Sequence, residues 1–105
     1  MTSVKFFVAD GRLAGFKISG HSSSSYGDEA GKIICSAVSS AAYMAVNTLT
    51  EIIGADVEAE VEDGYMSVKL KSKPDESQTV LKGLRLHLNN LAAQYFNHIK
   101  VNPEV

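Results

Sequence analysis

Two dipeptides, Asp10-Gly11 and Asp63-Gly64, constrain this chain more than any other feature, because each sits between runs whose apolar residues recur at every second position. Asp-Gly between alternating runs is a strong hairpin signal, since a tight two-residue turn needs positive φ values that these residues tolerate. Before the first turn Val4, Phe6 and Val8 alternate with Ser3, Lys5, Phe7 and Ala9; after it Ala14, Phe16 and Ile18 alternate with Gly15, Lys17 and Ser19. Around the second, Val57, Ala59 and Val61 alternate with Glu58, Glu60 and Glu62, and Met66, Val68 and Leu70 with Ser67, Lys69 and Lys71. The Glu and Lys rows are expected to face each other across the strands on a solvated face, each pair contributing about 0.2–1 kcal/mol.

A helical period follows each hairpin. Ile34, Val38, Ala41, Ala45, Leu49 and Ile52 share one stripe, predicting a helix from Ile33 to Ile53 with Gly54 as its C-terminal cap. Its other side carries Ala37, Ser40, Met44 and Thr48, too small and too apolar for a face left in water, so two packing partners are expected: its own sheet and the same helix of a second subunit. Pro74-Asp75-Glu76 opens the second helix, with Val80, Leu84, Leu88, Leu91 and Tyr95 as its stripe. Gly83 within it costs up to about 1 kcal/mol relative to alanine and reads as a close approach to a neighbour. Ile99 and Val101 form a short last strand. The order ββαββα(β) predicts an α+β, two-layer domain over residues 1–105, an antiparallel sheet with two helices packed on one face.

Charge and composition narrow the function. The formal charge of −2, with ten basic residues scattered among twelve acidic ones, gives no general pull toward nucleic acid. No direct nucleic-acid binding is therefore expected, although a local basic patch stays open. The one cysteine excludes an internal disulfide and suits a reducing cytoplasm. Lys5 breaks the short apolar run at the N-terminus, which reads as a strand and not as a signal peptide. No segment is expected to offer the roughly 18–20 charge-free apolar residues of a membrane span, the helix after Cys35 coming nearest. A soluble, cytoplasmic protein is the expectation. One cysteine and three separated histidines form no metal-binding cluster, so no metal and no cofactor are expected, and His87 and His98 read as structural or surface residues.

The chemistry gathers between Gly20 and Ala45. His21 lies just past a strand end, Cys35 lies in the first turns of the apolar helix, and residues 22–32 between them are nearly all small or polar. Cysteine and imidazole are a nucleophile and its base. Free cysteine is also a common buried hydrophobe, so the residues alone leave both readings open. The helix start would add partial positive charge beside the thiolate, and the N–H groups near Cys35 and Ser36 would serve as an oxyanion hole. The loop from Ser22 to Gly31 reads either as a plain connection or as a gate that orders over a bound peptide; Ser22 to Ser25 lack the Gly-Lys-Ser/Thr ending of a phosphate loop.

Gly20-His21, the glycine-containing loop and then Ile33-Ile34-Cys35-Ser36-Ala37-Val38-Ser39 resemble the signature of the ribosomal-processing cysteine protease family, Prp. There a Gly-His pair precedes a loop and an Asp-Ile-Val-Cys-Ala-Ala-Val-Ser-type segment. The likeness continues through the order of elements and the Val46-Asn47 pair. It implies His21 and Cys35 as a catalytic dyad, a homodimer, and a peptide substrate, the N-terminal extension of large-subunit ribosomal protein twenty-seven. Where many members carry Asp three residues before the cysteine, this chain has Lys32, a cation that would favour the thiolate; Asp28 or Glu29 stands nearest as a substitute for the Asp. The dyad carries over and a triad does not. The competing expectation is a non-catalytic ribosome-associated or peptide-binding module with the same fold.

Overall fold

The computed structural model describes residues 1–20 and 29–102. Strands β1 (Thr2–Ala9) and β2 (Arg12–Ser19) form the first hairpin, and Asp10 and Gly11 between them both take positive φ, 54° and 75°. Helix α1 (Glu29–Asn47) follows and continues as a π-helical segment, Thr48–Ile53, ended by Gly54 in the left-handed conformation. The second hairpin is β3 (Val57–Glu62) and β4 (Tyr65–Leu70); α2 (Pro74–Gln94) and β5 (Ile99–Val101) complete the chain.

The five strands make one sheet in the order β3-β4-β2-β1-β5. All neighbours are antiparallel except β5, which runs parallel to β1, so the sheet is mixed where alternation alone predicted an antiparallel one. The reason is α2. A helical crossover returns the chain to its starting end, so β5 emerges pointing the same way as β4 and therefore as β1. Helix α1 makes the same kind of return from β2 to β3. The two crossovers start from strands of opposite direction and move to opposite edges, and with the common right hand that puts both helices on the same face.

That face holds the core: Val4, Phe6, Phe16, Ile18 and Val68 of the sheet lie under Ile34, Val38, Ala42, Ala45 and Leu49 of the first helix and Leu81, Leu84 and Leu88 of the second. Three expectations shift. A bulge at Phe7/Val8 makes Leu13, not Ala14, the inward residue of β2. Ile52 is 80% exposed because the π-helical turn breaks the 3.6-residue phase before it; Thr48 and Thr50 donate hydroxyl hydrogen bonds to the carbonyls of Met44 and Val46 there. In α2 the buried line runs Ser77-Leu81-Leu84-Leu88, with Val80 and Leu91 half-buried and Tyr95 exposed.

Polar contacts fix α2 against β2. The Leu13 N–H donates to Gln78 Oε1 at 2.9 Å, and Gln78 Nε2 donates to the Leu13 carbonyl at 2.8 Å. Arg12 pairs with Asp75 beside them. On the second hairpin the predicted charge pairing appears as Lys71 to Glu58 at 2.9 Å, and this contact holds the Glu58 carboxyl below its usual range. Together Glu29–Ile53 are long and apolar enough to cross a membrane by length and composition, contrary to expectation, but here one side of this helix is packed on the sheet.

Gly15 is where the sheet is tightest. Its φ is 147°, and a Cβ added there would stand 2.0 Å from the Val68 carbonyl oxygen of β4. Gly15→Ala is expected to lower stability by about 2–3 kcal/mol, read as a drop in the urea midpoint at unchanged slope.

Candidate active site

Strand β2 ends at the one point where the first hairpin, the second hairpin and α1 converge. Gly20 has φ 86°, and its N–H donates to the Gly64 carbonyl at 3.0 Å. On its other side a Cβ would lie 2.5 Å from the Met1 carbonyl oxygen. The backbone there is held in turn, because the Thr2 N–H donates to the His98 carbonyl at 2.9 Å. Only glycine meets both demands without strain.

Cys35 is brought to the same place from above. Ile34 and Val38 pull α1 onto the sheet, and a step of about 100° per residue sets Cys35 at the border of the buried stripe, where it is half-buried with a free thiol. Cys35, Ser39 and Tyr43, four residues apart, line one wall of an open cleft. Val61, Tyr65 and Met66 of the second hairpin line the facing wall, and Gly20 and Gly64 form its end. Tyr43 and Val61 are exposed on opposite walls, so the cleft offers apolar surface to a chain lying in it. Glu62 is the one carboxylate among the described residues that line it.

The sequence-predicted residues fare differently. Cys35 lies in the cleft. His21 and Ser22 to Asp28 lie outside the described residues, and so does the greater part of the expected gate. Its last residues do not form a loop: Glu29, Ala30 and Gly31 already belong to α1, and Gly31 is buried. This earlier start moves Cys35 to the seventh helical position. There its N–H and that of Ser36 bond back to carbonyls four residues earlier, so they cannot form an oxyanion hole while the helix is intact. The helix-end charge, which acts mainly within the first turn, also reaches Cys35 weakly. Lys32 pairs with Glu29 at 3.7 Å on the exposed side of the helix. His87 faces a separate groove between the two helices, and His98 precedes β5, so neither reaches the Cys35 cleft. Ser39 and Tyr43 could have been found from their spacing to Cys35. The opposite wall could not, because only the pairing of β4 with β2 brings residues 61–66 there.

The architecture recurs in solved structures. SMU.848 from Streptococcus mutans is similar with a TM-score of 0.87 at 24% identity, over 97% of this chain and 92% of that one. The ribosomal processing protease Prp from S. aureus in complex with a substrate peptide is similar with a TM-score of 0.86 at 20% identity, over the whole of both chains. The same S. aureus protein with a covalently linked product peptide gives 0.85 at 21% identity, again over both whole chains. None of the curated proteins matches the chain by sequence. These likenesses define the class of the fold, an α+β open sheet with both helices on one side. A family profile then makes the assignment. The profile described as cysteine protease Prp matches residues 1–100, and the chain belongs to that family. It is a cysteine protease.

Because Gly20 closes the cleft at the end of β2, its geometry should matter to both stability and turnover. Gly20→Ala is expected to lower stability by about 1–3 kcal/mol, from the positive φ and the Met1 contact. Peptide turnover measured well below the melting temperature should fall at least tenfold, and a variant as active as wild type would show that Gly20 does not set the site.

Proposed function

We propose that this chain, folded as one domain over residues 1–105, is a cytoplasmic endopeptidase. Its reading is the removal of the N-terminal extension of large-subunit ribosomal protein twenty-seven during ribosome maturation. His21 deprotonates Cys35; the thiolate attacks the scissile carbonyl; His21 returns the proton to the leaving amine; water then hydrolyses the thioester and frees the cysteine. The observation that carries this reading is the meeting of Cys35 and Gly20 in one cleft. Gly20, at the cleft's end, is the residue that precedes His21 in the sequence. The S. aureus protease, similar in fold, has been captured with substrate and with covalently linked product, which supports a peptide as occupant and a covalent step.

The same reading includes a homodimer through α1. Ile33 and Met44 are each 67% exposed, and with Ala37 between them they form an apolar row on the side of α1 away from the sheet. Gly83 of α2 supports it: among the described residues nothing stands within 4 Å of where its Cβ would be, so the cost of a helical glycine is not offset inside this chain. A second α1 laid along the row would cover both.

Incubating the protein with the ribosomal-protein precursor and following its mass should show loss of the extension. Cys35→Ser should abolish turnover while leaving the melting temperature within a few degrees, because the change is nearly isosteric and the hydroxyl a far weaker nucleophile. Cleavage at the wild-type rate would remove Cys35 from the mechanism. In sedimentation, wild type should run as a dimer and Met44→Glu as a folded monomer; a dimer unchanged by that substitution would place the interface elsewhere.

A further inference from the structure

With both helices on one side, the other face of the sheet is left to its own side chains. Strands β5, β1 and β2 are neighbours and contain no carboxylate. On their outer face they carry Lys100, Lys5 and Lys17, and the glutamates of the sheet are all on β3, at the far edge. Lys5 and Lys17 are direct cross-strand partners. Like charges so placed repel across about 5 Å. Lys100 stands opposite Ser3, two residues along from Lys5, so the three cations form one patch. One ring flanks it, Phe7, with Lys69 5.5 Å from its centroid; Lys17 lies 5.7 Å over Tyr65, which belongs to the lining of the Cys35 cleft.

From this juxtaposition we propose that the open face of the sheet is a binding surface for single-stranded RNA. Lys5, Lys17 and Lys100 take three consecutive phosphates, and a base displaces Lys69 from the Phe7 ring to stack there. A row of cations beside a stacking ring is the chemistry by which proteins hold single strands without reading sequence. A folded acidic partner would use the charges and leave the ring idle. The choice of RNA rests on the proposed role in ribosome maturation, where the protein substrate is delivered next to RNA. The net charge of −2 does not oppose this, since the acidic residues of the sheet are segregated on β3 and a short screening length of about 8–10 Å makes the nearby lysines decide. The lysines look scattered in sequence because they belong to three strands that only the fold makes adjacent. Lys5, Phe7, Lys17 and Lys100 do not line the cleft, so a strand bound there leaves it open to a peptide.

The test is fluorescence anisotropy with a labelled single-stranded RNA of mixed sequence and about twelve nucleotides, titrated with the intact protein. Three neutralised phosphates predict a log–log salt slope of about −2, so affinity should fall roughly 20-fold between about 50 and 200 mM salt. In Lys5→Ser/Lys17→Ser the slope should drop to about −0.7, a loss of only about threefold over the same range. This variant removes a repulsion together with the Lys17–Tyr65 contact and should melt within a few degrees of wild type; if it fails to fold, Lys100→Ser alone should reduce the slope by about 0.7. Phe7→Leu should weaken binding about fivefold or more with the slope unchanged. Cleavage of a free peptide should be the same in the lysine variants as in wild type, which separates this surface from the proposed protease site. No saturable binding, a slope unchanged by the lysine substitutions, an affinity unchanged by Phe7→Leu, or equally tight binding of polyglutamate would each overturn the proposal.

Discussion

The chain's architecture depends on two helical crossovers that leave strands of opposite direction and travel to opposite edges of one sheet. Their common hand forces α1 and α2 onto the same face, and almost everything else follows from that. The inward residues of β1, β2 and β4 acquire a cover made of two apolar stripes, Ile34 to Leu49 and Leu81 to Leu88, and become the core. The outward residues acquire none, which is why Lys5, Phe7, Lys17 and Lys69 stand on a surface. Had either crossover fallen on the other side, the sheet would have needed apolar residues at both parities. The sequence has them at one.

The cleft is a by-product of how far α1 extends. Its first turns, buried through Gly31 and Ile34, reach the end of β2, and there Val61 and Tyr65 of the second hairpin line the cleft with it. A wall from a helix and a wall from a hairpin meet only at the bottom, at Gly20 and Gly64, whose backbones are hydrogen-bonded to each other. Glycine is needed at position 20 because the chain must both turn with positive φ and pass against the Met1 carbonyl. The Cys35 thiol is half-buried on this helix, an arrangement that suits the nucleophile of the proposed reaction.

The placement of Cys35 in the second turn of α1 changes what can stabilise an oxyanion. Backbone donors at positions 35 and 36 are engaged inside the helix, so the donors for a tetrahedral intermediate must come from elsewhere, or the start of α1 must unwind when peptide binds. Gly31, four residues before the cysteine, is the weakest link of that turn by intrinsic propensity. The protease reading therefore places a demand on the N-terminal end of α1 that was not visible when the helix was expected to begin at Ile33.

By itself, the sequence determined the elements. Period-two alternation around two Asp-Gly turns and 3.6-residue stripes after each were enough to place both hairpins and both helices, because each pattern reports which side of a local segment avoids water. It also carried the Gly-His and Ile-Cys segments on which the family likeness rests. It misjudged the places where a local period is interrupted: the bulge that brings Leu13 inward for Ala14, the π-helical turn that turns Ile52 outward, and the helix start at Glu29, set within a run of small residues with no apolar stripe to mark it. Only the tertiary structure decided which strands are neighbours. That ordering made β5 parallel to β1, set Val61 and Tyr65 opposite Cys35, and drew Lys5, Lys17 and Lys100 into one patch, since adjacency across a sheet is a property of the crossovers and not of any segment's own pattern.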